Sequence, residues 1–406
     1  MWRGEREAHV ASKSESRARA RLTRAGRWLA RGVLALLFLV GAYVSLVPQG
    51  RAAARATLLL PALVTQTQPA ALVASGEPVR HTQLVVSSRS GPVFLDVYAP
   101  TAGPPPAPGV REAVILISGV GDNRAVPQLI NLSESLARAG LVAVQMTTPA
   151  LLSYTLLPAD ADAVVAAVMA TGNLPGVRPA RVGILGFSAG GALACLAATD
   201  PRIRDSLAFI TLFGSYYDAR SLLKDFGRRA LEENGQLKPW HPQLVPIQVL
   251  ANTIATTLPS DEGKVLSDAF AQGAPPLMPA QIAALSPPAA AAYHLLAGDQ
   301  PDRVDANIAA LSPQMQTLLT ALSPSTVVGE LQTPIFLLHD RNDEFVPFTQ
   351  SRAFDASLTA LGKRHEFAEF GIFAHVEVKS GLGIGALVDD GSRLFRIIVG
   401  LLAPAS

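Results

Sequence analysis

Three side chains that together could run acyl transfer stand far apart in this chain: Ser188, Asp343 and His375. A serine hydroxyl is a poor nucleophile at neutral pH. It attacks a carbonyl only when a base takes its proton and a third group orients that base. Ser188 lies in Gly186-Phe187-Ser188-Ala189-Gly190-Gly191. This G-x-S-x-G pattern ends the apolar run Arg181–Phe187 and opens an Ala-rich segment. That context predicts a tight strand-to-helix turn that lifts the hydroxyl off the end of a sheet. Side chains at 186 and 190 would collide with neighbouring backbone in such a turn, which explains the glycines.

The acid is sought in His339-Asp340-Arg341-Asn342-Asp343-Glu344-Phe345-Val346-Pro347, directly after the apolar run Pro334–His339. Asp343 opens a D-x-x-V-P turn and is the preferred residue. Asp340, close to the strand end, and Glu344, outside that position, are the alternatives. Of the seven histidines, only His375 falls in a loop after the last expected strand, 32 residues beyond Asp343. That placement lets one ring nitrogen meet the acid while the other faces the serine. His365, at the start of a strand, is the second candidate. An oxyanion needs two backbone N–H donors. Ala189 follows the nucleophile, and Val120 lies in the loop Ser118-Gly119-Val120-Gly121 after the run Ala113–Ser118. Cys195, the one cysteine, reads as an inert buried residue. Tyr216-Tyr217-Asp218 line a pocket rim or pack at a junction.

These residues must be held by a repeating framework. Thr82–Ser88 and Pro92–Tyr98 are β-rich runs around Arg89-Ser90-Gly91, which predicts a hairpin. After a Pro-rich loop at Thr101–Gly109, strands are expected at Ala113–Ser118, Leu141–Thr147, Arg181–Phe187 and Leu207–Phe213. Helices are expected between them at Pro127–Ala139, Ala159–Ala170 and Ala189–Ala198. The alternation resumes with the strands Pro334–His339 and His365–Phe370 and the helices Thr349–Leu361 and Asp389–Leu402. Apolar strands alternating with helices predict a mostly parallel sheet covered on both faces. The Ala-, Leu- and Pro-rich stretch between the two blocks shows no convincing strand pattern. It is expected to form a helical cap over the carboxyl edge, where such sheets place their sites.

With GFSAGG at 186–191, HDRNDEFVP at 339–347 and a late histidine at 375, the chain resembles the α/β-hydrolase superfamily. It is most similar there to dienelactone-hydrolase-like and prolyl-oligopeptidase-like serine esterase domains. The resemblance covers roughly residues 79–218 and 327–403. It implies hydrolysis of esters or related acyl bonds by a Ser188–His375–Asp343 triad, with no metal and no organic cofactor. Three features depart from the pattern: Ser118-Gly119 and His339-Asp340 stand where His-Gly is usual, and Ser188 is the nucleophile where dienelactone hydrolases proper are known for cysteine.

Length and composition set the remaining bounds. The 406 residues are 49% hydrophobic and 16% charged, so the bulk of the chain can form a packed core. Residues 1–31 carry nine Lys/Arg against three Glu, and the rest of the chain 25 against 29. The mildly acidic body argues against nucleic acid as a partner. The basic leader precedes 19 uncharged residues, Gly32–Gly50, which as a helix reach about 28 Å, close to a bilayer core. The expected organisation is therefore a cytoplasmic leader (1–31), a transmembrane signal anchor (32–50) and a juxtamembrane linker (51–78). The hydrolase core (79–218 and 327–406) follows, interrupted by the cap (219–326). The positive-inside rule leaves the catalytic part outside the cytoplasm. Cleavage at Ala52-Ala53-Ala54 would instead release it as a secreted protein. The expected activity is that of a membrane-anchored serine hydrolase acting on small-molecule esters, with medium acyl chains favoured by an apolar cap. A peptidase of prolyl-oligopeptidase type and a non-catalytic binding module are the alternatives.

Overall fold

In the computed structural model, residues 41–44, 46–64, 67–101, 111–379, 381 and 384–402 are described. They divide into two units, one within residues 58–397 and one formed by the remaining described residues. The larger unit holds the sheet. Its first strands are β1 (Val79–Ser88) and β2 (Gly91–Pro100). They pair antiparallel, and Ser88 faces Gly91 across the two-residue turn Arg89-Ser90. The next four are β3 (Arg111–Ile117), β4 (Val142–Thr147), β5 (Val177–Phe187) and β6 (Leu207–Phe213). A small hairpin, β7 (Ala230–Glu233) and β8 (Gln236–Pro239), precedes β9 (Ile335–Asp340) and β10 (His365–Phe370).

The eight-stranded sheet runs β1-β2-β4-β3-β5-β6-β9-β10. The β2 strand is antiparallel to β1 and β4, and all other neighbours are parallel. Every residue of β4 and of β9 is buried, as expected for strands covered on both faces. Ile115, Val144, Ile184, Ile210 and Leu337 fill the centre. This strand order and the helix after each parallel strand make the α/β-hydrolase fold.

The cap is not purely helical. It contains helices at Ala219–Arg228, Leu244–Ala255, Ser260–Ala269, Pro279–Ala283, Pro287–Ala297, Val304–Ala310 and Pro313–Ala321. Between the first two lies the β7–β8 hairpin, contrary to the all-helical expectation. Its turn is Asn234-Gly235, at φ 54° and 74°, and Asn-Gly is the pair that such a two-residue turn selects. The charged residues around it hid the strand alternation. Next to the hairpin, Phe226 stacks on Trp240 at 5.4 Å and 6°.

The stretch expected as a linker is in large part helical. Pro48–Val64 and Ala70–Ser75 are helical. Ala52, Ala56, Leu59 and Ala62 are buried, the three-to-four spacing of one helix face. Among the described residues no helix is long and apolar enough to cross a membrane. Of the expected anchor, residues 32–40 and 45 lie outside the described residues, as do the basic leader and most of the Pro-rich loop.

Candidate active site

The segments after the carboxyl ends of parallel strands carry Ser188, Asp343, His375 and the loop of Val120 to one edge of the sheet. Ser188 follows β5 and caps the helix Ala189–Ala197 with φ 52° and ψ −127°. That backbone is sparsely populated for an L-residue, and the surrounding glycines permit it. A β-carbon on Gly186 would stand 2.5 Å from Gly191 Cα, and one on Gly190 would stand 2.3 Å from the Ile117 carbonyl oxygen. The Ser188 N–H donates to the Phe213 carbonyl at 2.8 Å, which ties the turn to the end of β6.

The acid and the imidazole are joined directly. Asp343 Oδ2 lies 2.6 Å from His375 Nδ1. Its Oδ1 accepts the Phe345 and Val346 N–H groups at 2.7 and 2.9 Å. Below it, the buried His339 Nε2 faces the Val346 carbonyl at 2.9 Å and Asp343 Oδ2 at 3.3 Å. Two acceptors require a proton on that nitrogen, and in a neutral ring His339 Nδ1 then accepts from the Ser351 hydroxyl at 2.6 Å. Burial works to raise the Asp343 carboxyl. The charge of His375 and the hydrogen bonds from His339 and His375 outweigh it and hold the group well below the usual carboxylate range.

His375 lies in the turn of a two-stranded hairpin, β11 (Phe373–Ala374) and β12 (Glu377–Val378), at φ 59°. Its ring is held between two surfaces. Phe345 stacks on it at 4.7 Å and 14°. A β-carbon on Gly214 would come within 2.9 Å of its Cε1 and Nδ1. Gly214 is the residue after Phe213, whose carbonyl holds the Ser188 peptide. Serine and imidazole thus share one short stretch of backbone. No hydrogen bond joins the two side chains directly among the described residues; such contacts commonly tighten only with substrate.

On the opposite side, Gly119 takes φ 85° and packs against the elbow. A β-carbon there would stand 3.3 Å from the Phe187 carbonyl oxygen and 3.9 Å from the Ala189 nitrogen. The loop therefore passes beside the Ala189 N–H. Among the described residues neither the Ala189 nor the Val120 N–H has a hydrogen-bond partner. Asn123 donates from its side chain to the Val120 carbonyl at 2.8 Å, and Gly121 N–H donates to the Leu151 carbonyl at 2.8 Å.

The other candidates are placed elsewhere. Asp340 is buried, raised by that burial, and bound to Lys379 Nζ at 3.3 Å through each oxygen. Lys379 also donates to the Gly371 carbonyl at 3.1 Å. Asp340 is thereby matched by a lysine on the segment that carries His375. Glu344 is exposed and bonds Gln243. His365 pairs with Asp355 at 3.0 Å. Cys195 is fully buried, which pushes its thiol up. The Tyr216 hydroxyl donates to the Leu322 carbonyl, Tyr217 stacks on Phe354, and Asp218 caps the helix Ala219–Arg228; these three pack the cap junction. Among the described residues no group of three or more His, Cys, Asp or Glu is placed to hold a metal ion.

Sequence reasoning did not single out Phe345, Gly214, His339 or Asn123. His339 could have been found from its four-residue spacing to Asp343. Phe345 and Gly214 carry no local signal, because each acts through a surface formed only on folding.

No protein-family model matches the chain, and none of the curated proteins compared with it does. Among solved structures it is similar to a Mycobacterium tuberculosis puromycin-hydrolyzing peptidase, at 17% identity and a TM-score of 0.48, over 80% of this chain and 40% of that one. It is likewise similar to Pyrococcus horikoshii acylaminoacyl peptidase, at 13% identity and a TM-score of 0.48, over 81% and 43%. A mutant of the esterase rPPE matches at 14% identity and a TM-score of 0.47, over 83% and 89%. The chain spans less than half the length of these two peptidases.

Proposed function

We propose that the chain is a serine hydrolase that cleaves carboxylic esters through an acyl-enzyme. Ser188 attacks the carbonyl as His375 takes its proton. Asp343 fixes the imidazole tautomer and stabilises the imidazolium. The Ala189 and Val120 N–H groups receive the oxyanion. His375 then activates water to release the acyl group. The observation that carries this reading is the 2.6 Å contact between His375 Nδ1 and a buried, ionised Asp343. It leaves the other ring nitrogen free to act as a base beside a serine held at positive φ.

A fluorophosphonate probe should label Ser188 in the full chain, with labelling lost in Ser188→Ala. A panel of p-nitrophenyl esters and aminoacyl p-nitroanilides then separates ester from peptide chemistry. Preference for esters of medium acyl length is expected from the Ala-, Leu- and Pro-rich composition of the cap. Faster turnover of the anilides would assign the site to a peptidase, and an unlabelled chain would favour a binding module. The uncharged run 32–50 behind its basic leader supports anchoring in a membrane with the catalytic unit on the extracytoplasmic side. Protease protection of the intact cell's protein, or its release as a shortened secreted form, tests that orientation.

A further inference from the structure

The turn after β4 has a feature that the catalytic reading leaves unused. The short helix Pro149–Leu152 ends with Tyr154 N–H donating to the Leu151 carbonyl and Thr155 N–H donating to the Ala150 carbonyl, at 3.1 and 2.9 Å. This Schellman closure places its turn residue in the left-handed region, where glycine or asparagine is usual. The occupant here is Tyr154, at φ 55°. A β-carbon in that conformation crowds the backbone, so a tyrosine in glycine's position implies a use for its side chain.

That side chain reaches the oxyanion loop. A methyl group built on Gly121 would stand 3.0 Å from the Tyr154 hydroxyl oxygen and 3.3 Å from the ring carbon bearing it. The backbone repeats the link, since the Leu151 carbonyl accepts from both Gly121 and Tyr154. The far side of the same turn is held by the cap helix Leu244–Ala255. Asn252 donates from its side-chain amide to the Ser153 and Tyr154 carbonyls at 3.3 and 3.2 Å. The Thr253 hydroxyl accepts the Leu156 N–H at 2.9 Å. An unbroken chain of contacts thus runs from the cap, through a strained tyrosine, to the residue beside Val120.

We infer that Tyr154 is a positioning residue, a strut through which the cap helix Leu244–Ala255 sets the oxyanion loop so that the Val120 N–H stays aimed at the reacting oxygen. This rests on the serine-hydrolase reading above. The strut acts by bulk and position and does not touch the substrate. Removing it should relieve the backbone while spoiling the loop, so stability and turnover should move apart.

The test compares Tyr154→Gly, Tyr154→Asn, Tyr154→Phe and Asn252→Ala in the full chain, by kcat and KM on one p-nitrophenyl ester and by thermal unfolding. The glycine and asparagine variants should melt at or above the wild type. Their kcat should fall about 10–100-fold, the scale of a small misplacement of a catalytic donor, with KM nearly unchanged. Phenylalanine should restore most of kcat. Asn252→Ala should lower kcat in the wild type but add nothing to Tyr154→Gly. Turnover kept in Tyr154→Gly, a lower melting temperature in both the glycine and asparagine variants, or full additivity with Asn252→Ala would each overturn the strut. A phenylalanine variant as slow as glycine would also overturn it, making the hydroxyl a substrate contact. Wild-type protein that fluorophosphonate does not label at Ser188 would bring down the hydrolase reading itself, a result distinct from these.

Discussion

The two halves of the site are built from different materials. The acid–base half is made of side chains. Asp343 accepts from two backbone N–H groups and faces two histidines, His375 is stacked on Phe345, and Lys379 pins the incoming segment to Asp340. The half proposed to hold an oxyanion is made of backbone. Gly119, Val120 and Gly121 contribute peptide groups, and their neighbours Asn123, Leu151 and Tyr154 only hold them in place. The first half relies on buried charge, which in low dielectric demands a full set of partners. The second needs only shape and two open N–H donors. Substitutions should therefore be severe and pH-sensitive in the first half, graded and pH-insensitive in the second.

The largest effect is expected at Ser188, the nucleophile of the proposed mechanism. Ser188→Ala should lower kcat by about 10⁴–10⁶-fold, measured on an ester with a chromogenic leaving group. Next comes the acid. Asp343→Asn keeps the shape of the side chain but leaves the imidazole in the wrong tautomer, and about 10³–10⁴-fold should be lost. A variant within about tenfold of wild type would mean that His375 is oriented by something else.

Lys379→Met tests the clamp. It leaves Asp340 buried without its cation. Because Lys379 is partly exposed, the loss should be about 1–3 kcal/mol, below that of a fully buried pair, with about tenfold in kcat as the His375 hairpin loosens. Adding Asp340→Gly should recover most of the stability, because both charges are then gone; chemical denaturation of the two variants decides this. On the oxyanion side, Asn123→Ala should cost about three- to tenfold in kcat by freeing the Val120 carbonyl.

The smallest effect separates the halves by pH. The folded-state pKa of Asp343 lies below its unfolded value, so its contribution to stability is fully present above about pH 4 and is lost as pH falls through the depressed folded value. The difference in melting temperature between wild type and Asp343→Asn should therefore shrink on acidification. The corresponding difference for Asn123→Ala should stay flat.

Much of the framework was legible because it rests on short-range chemistry. The strand-to-helix turn at 186–191 announces itself through glycines that sterics require. The hairpin at 89–90 and the apolar runs of β3, β4, β6 and β9 announce themselves through composition. The Asn234-Gly235 hairpin carried an equally local signal, obscured by charged flanks. The pins of the site were not legible in the same way. Lys379 means nothing until β9 and the hairpin of His375 stand side by side. Phe345 could be read as any loop aromatic, and Gly214 as any turn glycine.

The sequence by itself determined the order of strands and helices in the main sheet, the strained serine turn and the residue types available for acid–base work, because sterics and periodicity act within a few residues. Only the tertiary structure decided which carboxylate meets which imidazole, that Asp340 belongs to Lys379, and that Tyr154 leans on the oxyanion loop. Those choices depend on distances between segments far apart along the chain, which packing sets and no local pattern encodes.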